Sequence, residues 1–569
     1  PEERTNETIA REYLNELNEK NAQFLNKLSL ARWDYASNIT SENSQKVMEI
    51  SAEYLNKSVE YWRETSKFPW QNFTDYDLKR QFSKYAILGI TALAPKKFTK
   101  LMGIINEMQG IYSTATICSY HDRNKCNLSL EPEITKVIEQ SRNEEELKYT
   151  WVEWRKASGK KLRKHFEEYI GYLQEVAELN NFTHVTDLWL YKYEDKNFKR
   201  ELQETWEQVR PLYLQIHAYV RHKLRLYYGE NIISKRGPIP AHLLGNMWGQ
   251  TWDNIVDFTL PYPGKKASNI TEELIKQNYT VIKIFKLAEE FFTSLNMSKM
   301  PKLFWERSII EKPTDGRKII CHASAWDFYD GEDYRIKQCT VVNEQFLYVT
   351  HHEMGHIQYY LQYKDQPQIY RSSANPGFHE AIGDVIGLSM GLKKLVFLPF
   401  GYLMDLWRWD VFEGRTNSRD YNCRWWQLRE QYQGFEPPVD RTEEDFDPGA
   451  KYHIPANVPY IRYFVSFIVQ FQFHQALCKK AGQYVPNDTT KPLHECDIYY
   501  NKKAGNVFKQ MLQLGSSIPW QDAIELLTGQ RKMDASPLLE YFRPLHKWLE
   551  NENRKNGEYI GWEHTTKKC

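Results

Sequence analysis

The residues best suited to do chemistry lie in one short segment, His351-His352-Glu353-Met354-Gly355-His356. His352 and His356 are four positions apart, so on a helix both imidazoles lie on one face, one turn apart. From there both can bind a single Zn²⁺ at bond lengths of about 2.0–2.1 Å. Glu353 directly follows the first histidine and would stand beside the metal, where a general base for an attacking water is needed.

The motif alone is moderate evidence, because H-E-x-x-H arises by chance in roughly a few per cent of chains this long. A helix of this sequence could simply present a solvated face. A third metal ligand at a suitable distance would favour the zinc site over a solvated helix face. Glu380, which follows His356 by 24 positions (380 − 356), can be that ligand. Asp384, one helical turn later, can accept the other N–H of a ligand histidine, which we expect to be His352. Together these residues predict a two-His, one-Glu zinc site.

Composition and charge give no support to nucleic acid or an anionic membrane as a partner. The chain has 569 residues, and 75 Lys and Arg nearly balance 74 Asp and Glu, so the net charge is +1. This balance favours neither nucleic acid nor an anionic membrane as a partner. No apolar run reaches the ~18 residues of a membrane span. With 41% hydrophobic residues, the chain can bury a large core, in several domains or in one large two-lobed domain.

Cysteines and glycosylation sequons place the protein outside the cytosol, as a secreted, extracellular protein. The eight cysteines are an even number, which favours disulfides over reduced buried thiols. Ten N-x-Ser/Thr sequons each predict a surface position. They are Asn6, Asn38, Asn56, Asn72, Asn127, Asn181, Asn269, Asn278, Asn296 and Asn487. The start at Pro1, without an apolar signal segment, predicts a processed or engineered N-terminus.

Helical periodicity dominates the elements that must position these residues. Residues 1–71 have two charged helical patterns, which could form a lid over a cavity or an ordinary helical subdomain. Long helices are predicted over Asn143–Leu179 and over Asp187–Tyr228, the second with a break near Pro211. The zinc helix is predicted over 348–363.

The clearest β-structure lies before the zinc helix. Residues 318–325 and 334–342 flank a turn containing Asp330-Gly331 and predict a hairpin. Cys321 and Cys339 are nearly symmetric about that turn, which predicts a disulfide between them. Cys118 and Cys126 also suit a small disulfide loop. An edge strand here could hold an extended peptide by main-chain hydrogen bonds.

A second polar group follows about a hundred residues after the zinc motif. Lys451, His453, Tyr460, Arg462 and Tyr463 lie within 13 residues at the predicted start of an aromatic helix. Without the zinc motif they would be read as a buried polar patch. Beside a zinc site, a tyrosine and a histidine can donate to a developing oxyanion, and a lysine can bind a carboxylate.

Long motifs in this chain resemble those of the angiotensin-converting enzyme family, in a single-domain, soluble form of the kind found in insects. They are the zinc motif, Gly377-Phe-His-Glu-Ala-Ile-Gly-Asp384, Cys321-His-Ala-Ser-Ala-Trp-Asp-Phe328 and Val458-Pro-Tyr-Ile-Arg-Tyr-Phe464. The resemblance covers nearly the whole chain. It implies a mainly α fold of the zincin (gluzincin) type. This is one two-lobed helical ellipsoid with a deep central channel, an N-terminal helical lid over residues 1–75, a small β-sheet beside the zinc helix, and lobes interleaved around that helix.

The resemblance also implies a function, a zinc dipeptidyl carboxypeptidase that releases C-terminal dipeptides from oligopeptides with a free C-terminus. One Zn²⁺ and one or two chloride ions are the implied cofactors, and a homodimer is left open. The implied zinc ligands and catalytic residues are His352, His356 and Glu380, then Glu353, His453 and Tyr463. The implied substrate contacts are Gln250, His322, Ala323, Ala325, Lys451 and Tyr460. The implied chloride residues are Arg155, Trp425 and Arg429 for one ion, and Tyr193 and Arg462 for the other.

The resemblance leaves two rival functions and two further disulfides. A carboxypeptidase of the same fold would remove single residues, but it is expected to have Arg at the position of Gln250 and to lack the Lys451 and Tyr460 pair. A non-catalytic peptide-binding scaffold is disfavoured by the intact ligands and Glu353.

The family pairs Cys478 with Cys496, which leaves Cys423 to pair with Cys569.

One departure from the family lies between Met390 and Gly391. The family has a substantial segment there, whereas this sequence joins the two residues directly. Because Ser389-Met390-Gly391 has little turn chemistry for joining two helices so tightly, we expect residues to be missing at this point rather than a natural deletion.

Overall fold

The computed structural model describes residues 2–261, 270–385, 391–567 and 569. The sequon at Asn269 and the junction at Met390 lie outside the described residues, so both predictions about them stay untested. The described chain is mostly helical with six short strands among the described residues, which confirms the predicted mainly α class.

The helices are numbered in chain order. Helices α1 to α11 span Glu7–Ser37, Ser41–Thr65, Tyr76–Tyr85, Pro95–Thr114, Thr135–Gln140, Glu144–Ala157, Gly159–Leu179, Val185–Leu190, Phe198–Tyr228, Val256–Thr259 and Ile270–Lys276. Helices α12 to α22 span Val281–Ser294, Lys302–Arg307, Glu344–Tyr363, Pro376–Asp384, Gly391–Phe412, Tyr421–Leu428, Ile461–Ala481, Lys502–Gln513, Trp520–Thr528, Ser536–Tyr541 and Arg543–Lys555.

The strands form three two-stranded pairs among the described residues. Strands β1 to β6 span Thr116–Ile117, Leu128–Ser129, Ile239–Pro240, Ser324–Asp327, Tyr334–Lys337 and Phe435–Glu436. The predicted hairpin is β4–β5, antiparallel with Ala325 opposite Ile336. Its strands are shorter than predicted.

The first two helices have small apolar cores of their own. Leu14, Phe68 and Phe82 belong to one cluster, and Leu28 and Ile50 belong to another, both separate from the main core. α1 also contacts the β4–β5 hairpin, where Asn26 Nδ2 donates to the Phe328 carbonyl at 2.7 Å. α1 therefore lies against the hairpin, and the apolar clusters that it forms with its neighbours are separate from the central core.

Two helix predictions are corrected by the structure. The helix predicted over Asn143–Leu179 breaks at Ser158. The backbone of Phe446 packs against Gly159 at this break, because a Cβ at Gly159 would lie only 2.2 Å from Phe446 O. The second break lies at 191–197 rather than near Pro211, and α9 continues through Pro211. Glu207, whose carbonyl loses its helical partner at Pro211, is exposed, so water can satisfy it.

The zinc helix α14 begins earlier than predicted, at Glu344, because Asn343 caps it: the Asn343 side chain accepts from Phe346 N at 2.8 Å. α14 packs on α15, and α15 packs on α18. Glycines allow both contacts. A Cβ on Gly355 would lie 2.9 Å from Gly383 Cα, and one on Gly377 would lie 2.7 Å from Val465 Cγ1. Three helices are therefore held close enough for their side chains to share one site.

All four predicted disulfides are bonded: Cys118–Cys126, Cys321–Cys339, Cys423–Cys569 and Cys478–Cys496. In the described part of the chain, no helix is both long enough and apolar enough to cross a bilayer.

Candidate active site

The predicted metal ligands come together between α14 and α15. His352 Nε2 lies 3.1 Å from His356 Nε2 and 3.5 Å from Glu380 Oε2. One ligand atom from each of these residues lies within 4.8 Å of the other two. Four ligands arranged tetrahedrally at about 2.0–2.2 Å from an ion are roughly 3.3–3.6 Å apart. The three residues therefore fit a zinc ion with one position left for water or substrate.

Hydrogen bonds on the far side of each imidazole turn the ligand nitrogen toward the metal position. His352 Nδ1 lies 3.0 Å from Asp384 Oδ1, as predicted, and Tyr348 OH donates to the same oxygen. We assign the His352 proton to Nδ1, which leaves the Nε2 lone pair for zinc.

His379 gives His356 the same support, and the sequence reading missed it. The two Nδ1 atoms lie 3.0 Å apart, and His379 Nε2 lies 3.4 Å from Tyr363 OH. With the proton of His356 on Nδ1, His379 accepts it and His356 Nε2 is free to bind metal. His379 directly precedes Glu380, so one segment supplies both a ligand and a support.

Gly383 lies against the imidazole of His352 and leaves no space for a larger side chain at position 383. A Cβ at this position would lie 2.6 Å from His352 Nδ1, closer than non-bonded atoms approach. We expect Gly383→Ala to displace the imidazole and weaken zinc affinity by about 10- to 100-fold, the usual cost of losing a supporting contact. Chelator competition on the isolated protein measures this directly.

Gly171→Ala is the matched control, because Gly171 also lies in a helix and nothing lies within 4 Å of its added Cβ. It should bind zinc like the original protein. Equal zinc affinity in Gly383→Ala and Gly171→Ala would contradict the assigned packing.

Glu353 and the hairpin lie next to the metal ligands. Glu353 is buried on α14, and its charge acts on Lys337 of β5, where burial lowers the pKa and the carboxylate opposes that effect. Lys337 Nζ donates to the His322 carbonyl at 2.9 Å, and Tyr360 of α14 donates to the Ala325 carbonyl at 3.4 Å. Ala325 of β4 is thereby tied to the zinc helix, and the segment with His322 and Ala323, which directly precedes β4, is held by Lys337.

The predicted carboxylate-binding residues form a cluster in which Lys451 and Tyr460 are buried and Gln250 is half-buried. Tyr460 OH donates to Gln250 Oε1 at 3.4 Å. Lys451 Nζ lies 4.0 Å from the ring centroid of Trp248 and 6.0 Å from that of Tyr460. Burial lowers the pKa of Lys451 to about 7. An ammonium group held this far from water is a strong site for a carboxylate, which would restore its charge.

His453 and Tyr463 link that cluster to the metal ligand Glu380. Tyr463 OH lies 3.4 Å from His453 Nε2, and the His453 and Tyr460 rings are 4.7 Å apart. Burial lowers the pKa of His453 to about 2, with the charges of Lys451 and Arg408 adding to the effect, so its imidazole is neutral near pH 7. Burial and the charge of Glu380 raise the pKa of Tyr463, which keeps its hydroxyl protonated. Both side chains are therefore neutral donors.

The predicted chloride residues occupy two further buried positions. Arg155 Nη2 and Arg429 Nη2 donate to the adjacent carbonyls of Met247 and Trp248, at 3.1 and 2.7 Å. Trp425 lies with its ring 5.9 Å from the Arg429 guanidinium. Elsewhere, the charge of Arg462 acts on the buried Tyr193 hydroxyl. The structure thus brings together the two arginines of the first group.

The comparisons with known proteins agree with this site. A sequence model of the family described as "Angiotensin-converting enzyme" matches residues 4–391 and 388–562. The two matched segments meet where the sequence departs from the family.

Three proteins named angiotensin-converting enzyme illustrate the similarity. The one from Haematobia irritans exigua is 45% identical over 573 residues, covering 96% of this chain and 94% of its own length. That from Theromyzon tessulatum is 43% identical and covers 98% and 95%. That from Mus musculus is 45% identical over 98% of this chain, which spans only 44% of the mouse protein. Together with the His-His-Glu geometry, these matches show that the chain belongs to the angiotensin-converting enzyme family of zinc metallopeptidases.

Proposed function

We propose that the protein is a peptidyl-dipeptidase, which releases dipeptides from the C-terminus of oligopeptides. The observation that carries this proposal is the cluster of buried Lys451 and Tyr460 with half-buried Gln250, which is linked to Glu380 through His453 and Tyr463. A cation at a fixed position binds the free C-terminal carboxylate of the substrate, and this contact determines which peptide bond lies at the metal. By the family resemblance, a single-residue carboxypeptidase would instead have Arg at the position of Gln250 and lack the Lys451 and Tyr460 pair.

The chain's own residues can perform each proton transfer of peptide hydrolysis. Zn²⁺, held by His352, His356 and Glu380, supplies Lewis-acid polarisation and a lowered water pKa when bound. The carboxylate of Glu353 takes a proton from the attacking water as its oxygen bonds to the peptide carbonyl carbon. Glu353 then gives that proton to the amide nitrogen as the C–N bond breaks, which frees the amine of the dipeptide.

His453 and Tyr463 act on the carbonyl oxygen as negative charge develops there. We assign the proton of the neutral His453 to Nε2, and Tyr463 supplies its hydroxyl. The two donors, 3.4 Å apart, can converge on one oxygen atom. Because burial fixes them in advance, little reorganisation is needed in the transition state.

The decisive substrate comparison is a peptide with a free C-terminus against the same peptide amidated. A hydrogen bond to a charged group contributes about 1.5–3 kcal/mol, so amidation should lower kcat/KM about 10- to 100-fold. Lys451→Met should remove most of this discrimination, whereas acetylating the peptide's N-terminus should change little. Equal kcat/KM for the acid and the amide would contradict the proposal.

The carboxylate site also predicts a pH dependence. Lys451 is charged below its pKa of about 7, and only the charged form binds a carboxylate well. KM should therefore rise as the pH passes above about 7. Lys451→Arg should keep KM low at higher pH, because a guanidinium stays protonated. A KM that falls with rising pH would argue against the assignment.

We propose that an anion, chloride by the family resemblance, binds between Arg155 and Arg429. Among the described residues, no hydrogen-bond acceptor meets Arg155 Nε or Arg429 Nε and Nη1. Burial lowers the pKa of Arg429 to about 9 and that of Arg155 well below its usual value. Two buried cations this close are costly unless an anion compensates them. Trp425 would pack beside this ion, and Tyr193 and Arg462 would hold a second.

Activity should therefore rise with chloride at constant ionic strength, by several-fold in kcat/KM, and Arg429→Gln should abolish that response. Arg200→Gln, which alters an exposed arginine, should keep it. Identical chloride curves for Arg429→Gln and Arg200→Gln would refute the assigned anion site.

We also propose that the protein is secreted and glycosylated, and that α1 and α2 form the predicted lid. Eight of the nine described sequon asparagines are exposed, Asn38 being half-buried. The four disulfides suit an oxidising compartment. Glycosidase digestion of the protein from its native source should lower its mass, and an unchanged mass would contradict the glycosylation proposal.

A further inference from the structure

A buried ion pair contacts the loop that carries His453 and the start of α18, which carries Tyr463. Asp405 and Arg408 lie one turn apart on α16, and their exposed fractions are 0% and 1%. Arg408 Nε donates to Asp405 Oδ1 at 2.7 Å. The guanidinium also packs on the face of Trp189, 4.8 Å from its centroid. These two contacts hold the guanidinium in one orientation.

Both members of the pair reach the loop 453–460. Arg408 Nη1 donates to the His453 carbonyl at 3.1 Å. Asp405 Oδ2 accepts from Tyr460 N and from Ile461 N, both at 2.7 Å. The first contact fixes the start of the loop, and the second caps the first turn of α18, which also carries Tyr463.

Stability alone is a poor explanation for this arrangement. Burying two charges costs several kcal/mol per ion, and apolar replacements of buried ion pairs are often neutral or stabilising. α16 and α18 already share apolar contacts, such as the Tyr402 and Phe464 rings at 5.2 Å. Apolar contacts do not fix the orientation of the groups that they join. The planar guanidinium of Arg408 does, because it sets the angle between its two acceptors, Asp405 and the His453 carbonyl.

We propose that Arg408 is a positioning residue for catalysis. It fixes the His453 backbone through the carbonyl, while Asp405 fixes the N-terminus of α18, so that the His453 imidazole and the Tyr463 hydroxyl converge on one point. This inference rests on the proposed function, since it takes the donor roles of His453 and Tyr463 from there.

Arg408→Lys tests the proposal without removing the buried charge. A lysine can pair with Asp405, but it lacks the fork that bonds Asp405 and the His453 carbonyl at a fixed angle. A misplaced donor should lower kcat about 10- to 100-fold, with KM changed less than about twofold because the carboxylate site keeps Lys451. Rates are expressed per bound zinc, so that partial unfolding does not count as lost kcat.

Arg225→Lys is the control, since Arg225 also forms a buried ion pair, with Glu558, at side-chain exposures of 7% and 1%. It should keep the original kcat. If Arg408→Lys does not fold, the neutral pair Asp405→Asn with Arg408→Met serves instead and should show the same loss of kcat. A variant that melts at lower temperature but keeps kcat per zinc would show a purely structural role and overturn the proposal.

A double-mutant cycle tests the route through His453. In a His453→Ala background, Arg408→Lys should cause little further loss of kcat, because the donor that it positions is gone. Additive losses would refute the positioning role. The proposed function is judged separately: if the original protein releases no dipeptides, that function fails, whereas normal dipeptide release with an unaffected Arg408→Lys defeats this inference alone.

Discussion

Glu353→Gln is expected to lower kcat about 10²- to 10⁴-fold while the protein still holds one zinc ion. The range is that of a general acid–base residue. Glutamine matches the shape of glutamate but cannot take a proton from water and pass it to the amide nitrogen. Because the zinc ligands are His352, His356 and Glu380, metal affinity should change little. Stopped assays with metal analysis of the same sample measure both quantities.

Glu344→Gln is the control for this substitution, because Glu344 is an exposed residue in the first turn of the same helix. Its kcat should match that of the original protein. A Glu353→Gln variant that keeps its zinc and hydrolyses peptide at the original rate would overturn the assigned base.

Tyr463→Phe is expected to lower kcat about 10²- to 10³-fold, the usual cost of removing one oxyanion donor. The ring is kept, so packing on α18 is retained. The hydroxyl is proposed to bind the substrate oxygen only as charge develops, so KM should change little. Comparing kcat and KM separates this role from a role in substrate binding.

Tyr402→Phe removes a hydroxyl from another buried tyrosine, on α16, and should leave both constants near their original values. If Tyr463→Phe raised KM and left kcat unchanged, Tyr463 would be a substrate-binding residue rather than an oxyanion donor.

The metal ligands could be predicted because their geometry is local. His352 and His356 lie on one helix at a spacing that fixes their relative position, and Glu380 and Asp384 lie on the next helix at the same spacing. The hairpin disulfide Cys321–Cys339 was equally local, since the turn fixes which residues face each other. Spacings within one helix or across one turn can be read from the sequence without knowledge of the fold.

The supporting contacts could not be predicted, because they join distant parts of the chain. Arg408 contacts His453 only once α16 packs against the loop that precedes α18, and the spacing of these residues in the sequence does not predict that contact. His379 stood beside Glu380 in the sequence, yet its contact with His356 depends on how closely α14 and α15 approach. Gly355 and Gly383 were the available signal, since glycine inside a helix is unfavourable without a packing reason.

The wrong helix break near Pro211 has a similar origin. Proline predicts a break because it removes a helical hydrogen bond. In the structure that carbonyl belongs to an exposed residue, Glu207, so solvent replaces the lost bond. The actual break leaves Glu194 in the left-handed region at φ 50°, where Arg80 Nη1 pairs with it at 2.7 Å. Only the contact between Arg80 and Glu194 distinguishes the actual break at 191–197 from the predicted break near Pro211.

The measurement that tests the central claim most directly is the mass of the products from a short, N-terminally blocked peptide with a free C-terminus. The account predicts fragments shortened by two residues at a time and free dipeptides. It also predicts no products after chelation and full recovery when Zn²⁺ is added back. Products shortened by single residues, internal cleavage that ignores the C-terminus, or undiminished hydrolysis by the metal-free protein would contradict it.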